Sequence, residues 1–202
     1  MRTQTVLSMC LSMLVACGSC NLGNGPAGQP LVVEKSRDVA LPTSSSTISE
    51  FRLSSPAFQD GEPIPSRFSC DGVDTSPPMT WSNIPQGTAS LALVVEDPDA
   101  PGGTWFHWIV YGLPLEIHEL PEGIGGQIQL GGLGETGTNS WGDRIYGGPC
   151  PPSGTHQYYF RLYALDQPLE LQPGATMTEL LDAIRGHILG QAVLSGTYSA
   201  NT

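Results

Sequence analysis

Two acids and a histidine interrupt what otherwise reads as protein core. In "ALVVEDPDAPGGTWFHWIVYGLP", residues 92–114, Asp97, Asp99 and His107 lie between two apolar runs. A turn joining two strands needs Pro, Gly or Asp, but it does not need two carboxylates and an imidazole. A second segment, "GGPCPPSGTHQYYFRLYALD" (147–166), supplies complementary parts. Pro149, Pro151 and Pro152 fix φ and stiffen a loop. Gly147, Gly148 and Gly154 let backbone N–H groups approach a ligand closely. His156 falls where the chain enters a strand, which would hold it rigidly. Stiff loops with convergent N–H groups and imidazoles are the components of an anion site. Either segment alone reads equally well as a Pro/Gly-rich turn with a surface histidine. Both in one chain favour a site.

Within that site Asp97 is expected to accept a hydrogen bond from a histidine, with His107 the first choice. The facing carboxylate would orient the ring and raise its proton affinity. Asp99 is expected to brace the Pro-rich turn by accepting backbone N–H groups. His107 and His156 would then present N–H to an anion, together with amides of the 147–154 loop. Rival chemistries fit less well. There is no G-x-S-x-G elbow for a serine hydrolase. Asp97, His107 and His156 are chemically competent zinc ligands, but no H-x-x-x-H or C-x-x-C pair accompanies them. The remaining histidines read as structural: His187 as a packing residue on a helix, His118 as part of a turn.

The elements that must position these residues are mostly strands. "SLALVVED" (90–97), "WFHWIVYGLP" (105–114) and "QYYFRLYALD" (157–166) are apolar or aromatic runs bounded by turn residues, and "VLSGTYS" (193–199) is a shorter one. One helix is expected. Thr176-Met177-Thr178-Glu179 is a capping box, and Met177, Leu180, Leu181, Ile184, Ile188 and Ala192 follow helical spacing, with Gly190 marking a weak end.

The chain of 202 residues is long enough for one domain with extensions. A net charge of −11, with only eight Lys and Arg, excludes an electrostatic footprint for nucleic acid. Residues 1–16 read as a secretory leader, whose apolar run is too short to span a bilayer. That run ends in Leu14-Val15-Ala16-Cys17, which is similar to a bacterial lipoprotein signal, so Cys17 is the expected site of lipidation. Residues 17–49 are rich in Gly, Pro, Ser and Thr and read as a flexible tether. Residues 50–202 read as the folded domain. The expected location is thus a bacterial cell envelope, with the membrane reached through a lipid anchor. In that oxidising setting Cys70 and Cys150, both inside the domain, can pair.

"DPDAP", "HWIVYGLP" and "GPCPPSGTHQYYFRLYALD" resemble the phosphatidylethanolamine-binding protein family, also called Raf kinase inhibitor-like proteins. "SPAFQDGEPIPSRFSCDGVDTSPPMTW" is similar to the N-terminal part of its bacterial and archaeal branch. The resemblance implies a mostly β fold: a large central antiparallel sheet, a second small sheet and a C-terminal helix. It implies one small pocket for phosphate, phosphorylated head groups or similar anions, with no cofactor and no metal. Carried onto this chain, the pocket residues are Asp97, Asp99, His107, Gly148, Pro149, His156 and Tyr158. Gln157 stands where the family usually has Arg, and Trp105 where animal relatives place a wall aromatic. The implied function is non-catalytic binding of a small anion or phosphorylated group. The alternative is an inhibitor or regulator of a partner kinase or protease.

Overall fold

The computed structural model describes residues 49–200. The expected leader, Cys17 and all but the last residue of the expected tether lie outside them. Among the described residues eight strands form two antiparallel sheets. β1 (Arg52–Ser54), β2 (Met79–Ser82) and β5 (Glu119–Leu120) make a small sheet in the order β1-β2-β5. β3 (Ser90–Asp97), β4 (Trp105–Leu113), β6 (Glu135–Thr136), β7 (Thr155–Leu165) and β8 (Ile188–Ser199) make a larger one in the order β6-β4-β3-β7-β8.

The large sheet is covered on both faces. On one face Leu91, Leu93 and Val95 of β3, Trp108 of β4 and Phe160 of β7 pack against Leu53, Met79, Trp81 and Leu120 of the small sheet. On the other, Ala92 and Val94 of β3 and Ile109 and Tyr111 of β4 meet Met177, Leu180 and Ile184 of α1 (Met177–Ile184), the one α-helix among the described residues. This layering explains why β3 is apolar without alternation: a central strand sandwiched between two layers buries both sets of side chains. Each fully buried Leu or Val there contributes about 1.5–3 kcal/mol of transfer free energy.

The helix begins as its sequence dictates. Thr176 Oγ1 accepts from the Glu179 amide, and the Glu179 carboxylate accepts from the Thr176 amide, completing the capping box. It ends sooner than the apolar spacing suggested. Arg185 is extended and Gly186 takes φ +83°, a left-handed conformation that stops helices. Ile188 and Ala192 belong instead to β8, which pairs with β7 along almost its whole length. A long ladder beside a formed strand outweighs one more turn of helix. Gly190 lies in that strand, where Pro85 leaves no room for a Cβ (2.9 Å). His187 is therefore not a helical packing residue. It sits between α1 and β8, half-exposed, with Nδ1 2.9 Å from Asp166 Oδ1. His118 is exposed just before β5, and its carbonyl accepts from the Trp81 amide.

Candidate functional site

Three adjacent strands deliver the site. Asp97 ends β3, His107 lies near the start of β4, and His156 and Tyr158 lie at the start of β7. Strand alternation puts Asp97 on the same face as Leu93 and Val95, and His156 and Tyr158 on the same face as Phe160. His107 would alternate to the opposite face. A β-bulge corrects this: Val95 pairs with Trp108 and Glu96 with Phe106, leaving His107 as the extra residue on β4. The bulge turns its imidazole toward Tyr158, edge-on at 5.2 Å between centroids.

The two histidines are held differently, and not as the sequence suggested. Asp97 Oδ2 lies 2.7 Å from His156 Nδ1, so the carboxylate orients His156 rather than His107. His107 Nδ1 lies 2.7 Å from the Gly147 carbonyl. A carbonyl only accepts, so His107 Nδ1 carries a proton, and Nε2 is its free nitrogen. The His156–carboxylate bond likewise assigns the proton to Nδ1 and frees Nε2. His107 is 3% exposed and His156 8%, so a ligand meets at most one edge of each ring. Burial pushes the His107 proton affinity below that of an ordinary imidazole. The Gly147 carbonyl and the charges of Asp97 and Asp74 offset this only in part. The raised proton affinity expected for His107 is thus corrected: desolvation exceeds the attraction.

Asp97 Oδ1 accepts from the Asp99 amide (2.8 Å), so it is Asp97 that braces the DPDAP turn. Asp99 reaches across to β7 instead, where Oδ2 accepts from the Gln157 amide at 2.8 Å. The Gln157 side chain alternates to the far face from His156 and accepts from the Tyr159 hydroxyl. An Arg there would likewise point away from the two imidazoles.

The Gly-Pro loop is a wall rather than a set of ligand donors. The Gly147 amide donates to the His107 carbonyl, the Gly148 amide to Asp74 Oδ1 (2.7 Å), and the Pro149 carbonyl accepts from Cys70. Gly148 is required by close approach, since a Cβ would sit 2.2 Å from the Phe68 carbonyl oxygen. Gly154 serves a turn, at φ +69°. The expectation that amides of Gly147 and Gly148 face a ligand is therefore corrected. Cys70 and Cys150 do form a disulfide, with 5.5 Å between Cα atoms. It ties the 66–75 segment to this loop, beside a hydrogen bond from the Tyr146 hydroxyl to the Phe68 carbonyl.

Tyr158 is fully buried, and its hydroxyl has no hydrogen-bond partner among the described residues. It lies beside the Asp97 carboxylate and the Cys150 amide without a well-aligned bond to either. Burial and the nearby carboxylate push its ionisation far above the ordinary phenol range. An orphaned donor in a buried site costs about 1–3 kcal/mol unless something binds there.

Segments 70–81 and 131–148 stand out in the sequence for their unusual residues, but no role was legible there for Asp74, Asn139 or Trp141. Asn139 Oδ1 accepts from the Trp141 and Asp143 amides, and Ser140 is bonded to Phe106 of β4. These bonds hold Trp141 edge-on to both His107 (4.9 Å) and Trp105 (5.3 Å). Trp141 is 48% exposed, an unusual surface position for a Trp that only the fold reveals. A recess of about 270 Å³ between Trp141, Asp74, Tyr146 and the disulfide abuts the site. A larger hollow of about 600 Å³, between β1 and β8, holds none of these groups. Among the described residues, no cluster of three His, Cys, Asp or Glu side chains is placed to hold a metal ion.

The structure is thus a two-sheet β fold that carries two imidazoles and a carboxylate at one end of its central strands. The phosphatidylethanolamine-binding protein family's sequence model matches residues 54–199, and the chain belongs to that family. A UPF0098 protein of Methanothermobacter thermautotrophicus is 46% identical over 146 residues, covering 72% of this chain and 97% of the relative. A Mycobacterium tuberculosis protein that carries the name lipoprotein LppC is 44% identical over 191 residues, covering 93% of this chain and 92% of the relative. The crystal structure of a phosphatidylethanolamine-binding protein homologue from Chlamydia trachomatis is 43% identical, with a TM-score of 0.69, covering 75% of this chain and 99% of that one. Escherichia coli YbcL, described as a member of the mammalian family, is 30% identical at the same TM-score, covering 76% of this chain and 100% of its own.

Proposed function

We propose that the domain binds a small anion or phosphorylated head group at His107 and His156, without turnover, as part of an exported, lipid-anchored protein. The observation that carries this reading is the pair of buried imidazoles whose Nδ1 protons are both committed to protein acceptors. Each then meets a ligand through Nε2, and the Tyr158 ring packs against both imidazoles. Two groups beside the histidines that carry nucleophilic atoms are unsuited to attack. The Tyr158 phenol is pushed up in ionisation, and Cys150 is bonded to Cys70.

This arrangement makes binding proton-linked. A neutral Nε2 is an acceptor and repels an anion's oxygen. It receives an anion only if a proton lies between them. That proton comes either from solvent, charging the imidazole, or with the ligand as a phosphate hydroxyl. A phosphate monoester takes its own second proton near a pH of about 6. Affinity for a phosphate monoester is therefore expected to rise as pH falls from 8 toward 6. Calorimetry in buffers of different ionisation enthalpy should find proton uptake on binding across that range. His107→Ala and His156→Ala should each weaken phosphate and phosphoethanolamine binding by roughly ten- to a hundredfold, the loss of a charge-assisted hydrogen bond of about 1.5–3 kcal/mol. Unchanged affinity in both variants, with the fold intact, would mean that the anion site lies elsewhere. The anchor reading draws support from the relative named LppC. Its similarity extends over 191 residues, beyond the 54–199 span of the domain.

A further inference from the structure

Asp74 has no contact with either imidazole in the site, yet one peptide unit connects it to His107. The Gly147 carbonyl and the Gly148 amide belong to the same peptide bond. The carbonyl accepts from His107 Nδ1 at 2.7 Å, and the amide donates to Asp74 Oδ1 at 2.7 Å. Both distances are at the short end for N–H···O bonds. A carboxylate drawing on the N–H end of an amide polarises it and strengthens the C=O end as an acceptor.

The geometry points to Asp74 as a positioning residue for His107, acting through the Gly147–Gly148 peptide to favour the protonated imidazole that an anion requires. His156 has its carboxylate in direct contact, Asp97. His107 has one at a distance of one amide. The inference rests on the anion-binding reading above and deepens it, since it says how the more deeply buried histidine remains able to hold a proton.

Three further observations carry it. The Asp74 backbone sits at φ +58°, a left-handed conformation that few residues other than Gly, Asn and Asp adopt readily, and it is one of two such non-glycine residues described. A Cβ on Gly148 would collide with Asp74 Oδ1 at 2.5 Å, so the glycine is what lets the carboxylate reach the amide. Trp141 packs over the Gly147 end of the same peptide, where a Cβ on Gly147 would meet its ring at 2.8 Å, and Gly148 is buried while Asp74 faces solvent from the other side of the bond. The other titratable groups beside His107 are Asp97 from β3 and Tyr158 from β7.

Asp74→Asn is the discriminating substitution. Asn tolerates the same backbone conformation, and its carbonyl oxygen still accepts from Gly148, so the bond remains while the charge goes. Asp143→Asn is the control, because Asp143 lines the same recess but makes no bond to the peptide. The measurement is an NMR titration of the four histidines in ligand-free domain, assigned by single His variants. In Asp74→Asn the His107 midpoint is expected to move to lower pH, while His156 stays in place and Asp143→Asn leaves both unchanged. Inorganic phosphate should then bind Asp74→Asn about three- to tenfold more weakly at pH 7, with the loss recovered at lower pH. An unmoved His107 in Asp74→Asn overturns the relay. So does an equal movement in Asp143→Asn, which would indicate a general field, or a His107 that stays neutral to the acid limit of the wild-type fold. If phosphate fails to bind the wild-type domain, the anion-site reading fails, and the ligand-free titration still decides the relay.

Discussion

At the scale of single residues, one physical conflict dominates the site. An imidazole is useful to an anion when charged, and burial favours the neutral form. His107 sits on the neutral side of that balance, because desolvation outweighs the Gly147 carbonyl and the two nearby carboxylates. The consequence for stability has a definite sign. The unfolded chain holds the His107 proton at the ordinary midpoint of 6.5, whereas the folded chain releases it at lower pH. Between those values the unfolded state binds more protons, so stability rises with pH. His107 therefore contributes stability that is fully present above about 6.5 and is lost as pH falls toward the folded midpoint. Thermal melts of the ligand-free domain are expected to show a falling midpoint on acidification, and His107→Gln should flatten that dependence. A wild-type profile that is level below the ordinary imidazole range would contradict a buried neutral His107. Saturating phosphate should reduce the slope as well, because the bound state takes up the proton that the free fold refuses.

At the scale of elements, the β4 bulge and the cross-linked loops make the site. The strands β3, β4 and β7 fix three positions on one face to within the spacing of a sheet. The wall opposite is loop, and loops need fastening. Residues 66–75 and 146–150 are joined by the Cys70–Cys150 disulfide, by Cys70 N–H to Pro149, by Tyr146 to Phe68 and by Gly148 to Asp74. The disulfide closes a loop of 80 residues in sequence. On the chain-entropy account this corresponds to about 4.5 kcal/mol of stabilisation. Cys70→Ser with Cys150→Ser is expected to lower the melting midpoint by several degrees and to weaken phosphate binding, since the wall that carries the Gly147 carbonyl is loosened. Denaturant unfolding beside binding calorimetry checks both effects. A double variant that melts like wild type would mean that the hydrogen bonds alone hold the wall.

At the scale of the whole molecule, charge and anchoring set the conditions under which the site works. A net charge of −11 slows the approach of anions from solution. Binding then depends on short-range donors, and a ligand already concentrated at a surface avoids much of that penalty. A lipid anchor at Cys17 would place the domain near such a surface. None of the helices among the described residues is long and apolar enough to cross a membrane. Stable attachment through lipid requires more than one acyl chain. Cys17→Ser in the full chain is expected to move the protein from the detergent phase to the aqueous phase, or to leave it unprocessed. Identical partition and identical processed mass in the two proteins would end the anchor reading.

Much of this protein was legible in one dimension. Apolar or aromatic runs marked β3, β4 and β7 nearly to the residue; β3 and β4 run on without alternation because both their faces are covered, whereas β7 alternates buried and half-buried positions. The capping box announced the start of α1 for the same local reason. Asp97, His107, His156 and Tyr158 were identifiable by type and by family motif, and Cys70 and Cys150 by their place inside the domain. What the chain order could not convey was pairing. Which histidine takes Asp97 depends on strand order and on a bulge that shifts alternation by one residue, and neither is encoded near His107 itself. The end of α1 depends on β7, which offers β8 a ladder that no local propensity records. The loop amides looked free in sequence and are spent in the fold, because Asp74 lies 74 residues away from Gly148 along the chain and 2.7 Å away in space. Local patterns specify elements. Hydrogen-bond partners and proton affinities are settled only where distant segments exclude water from one another.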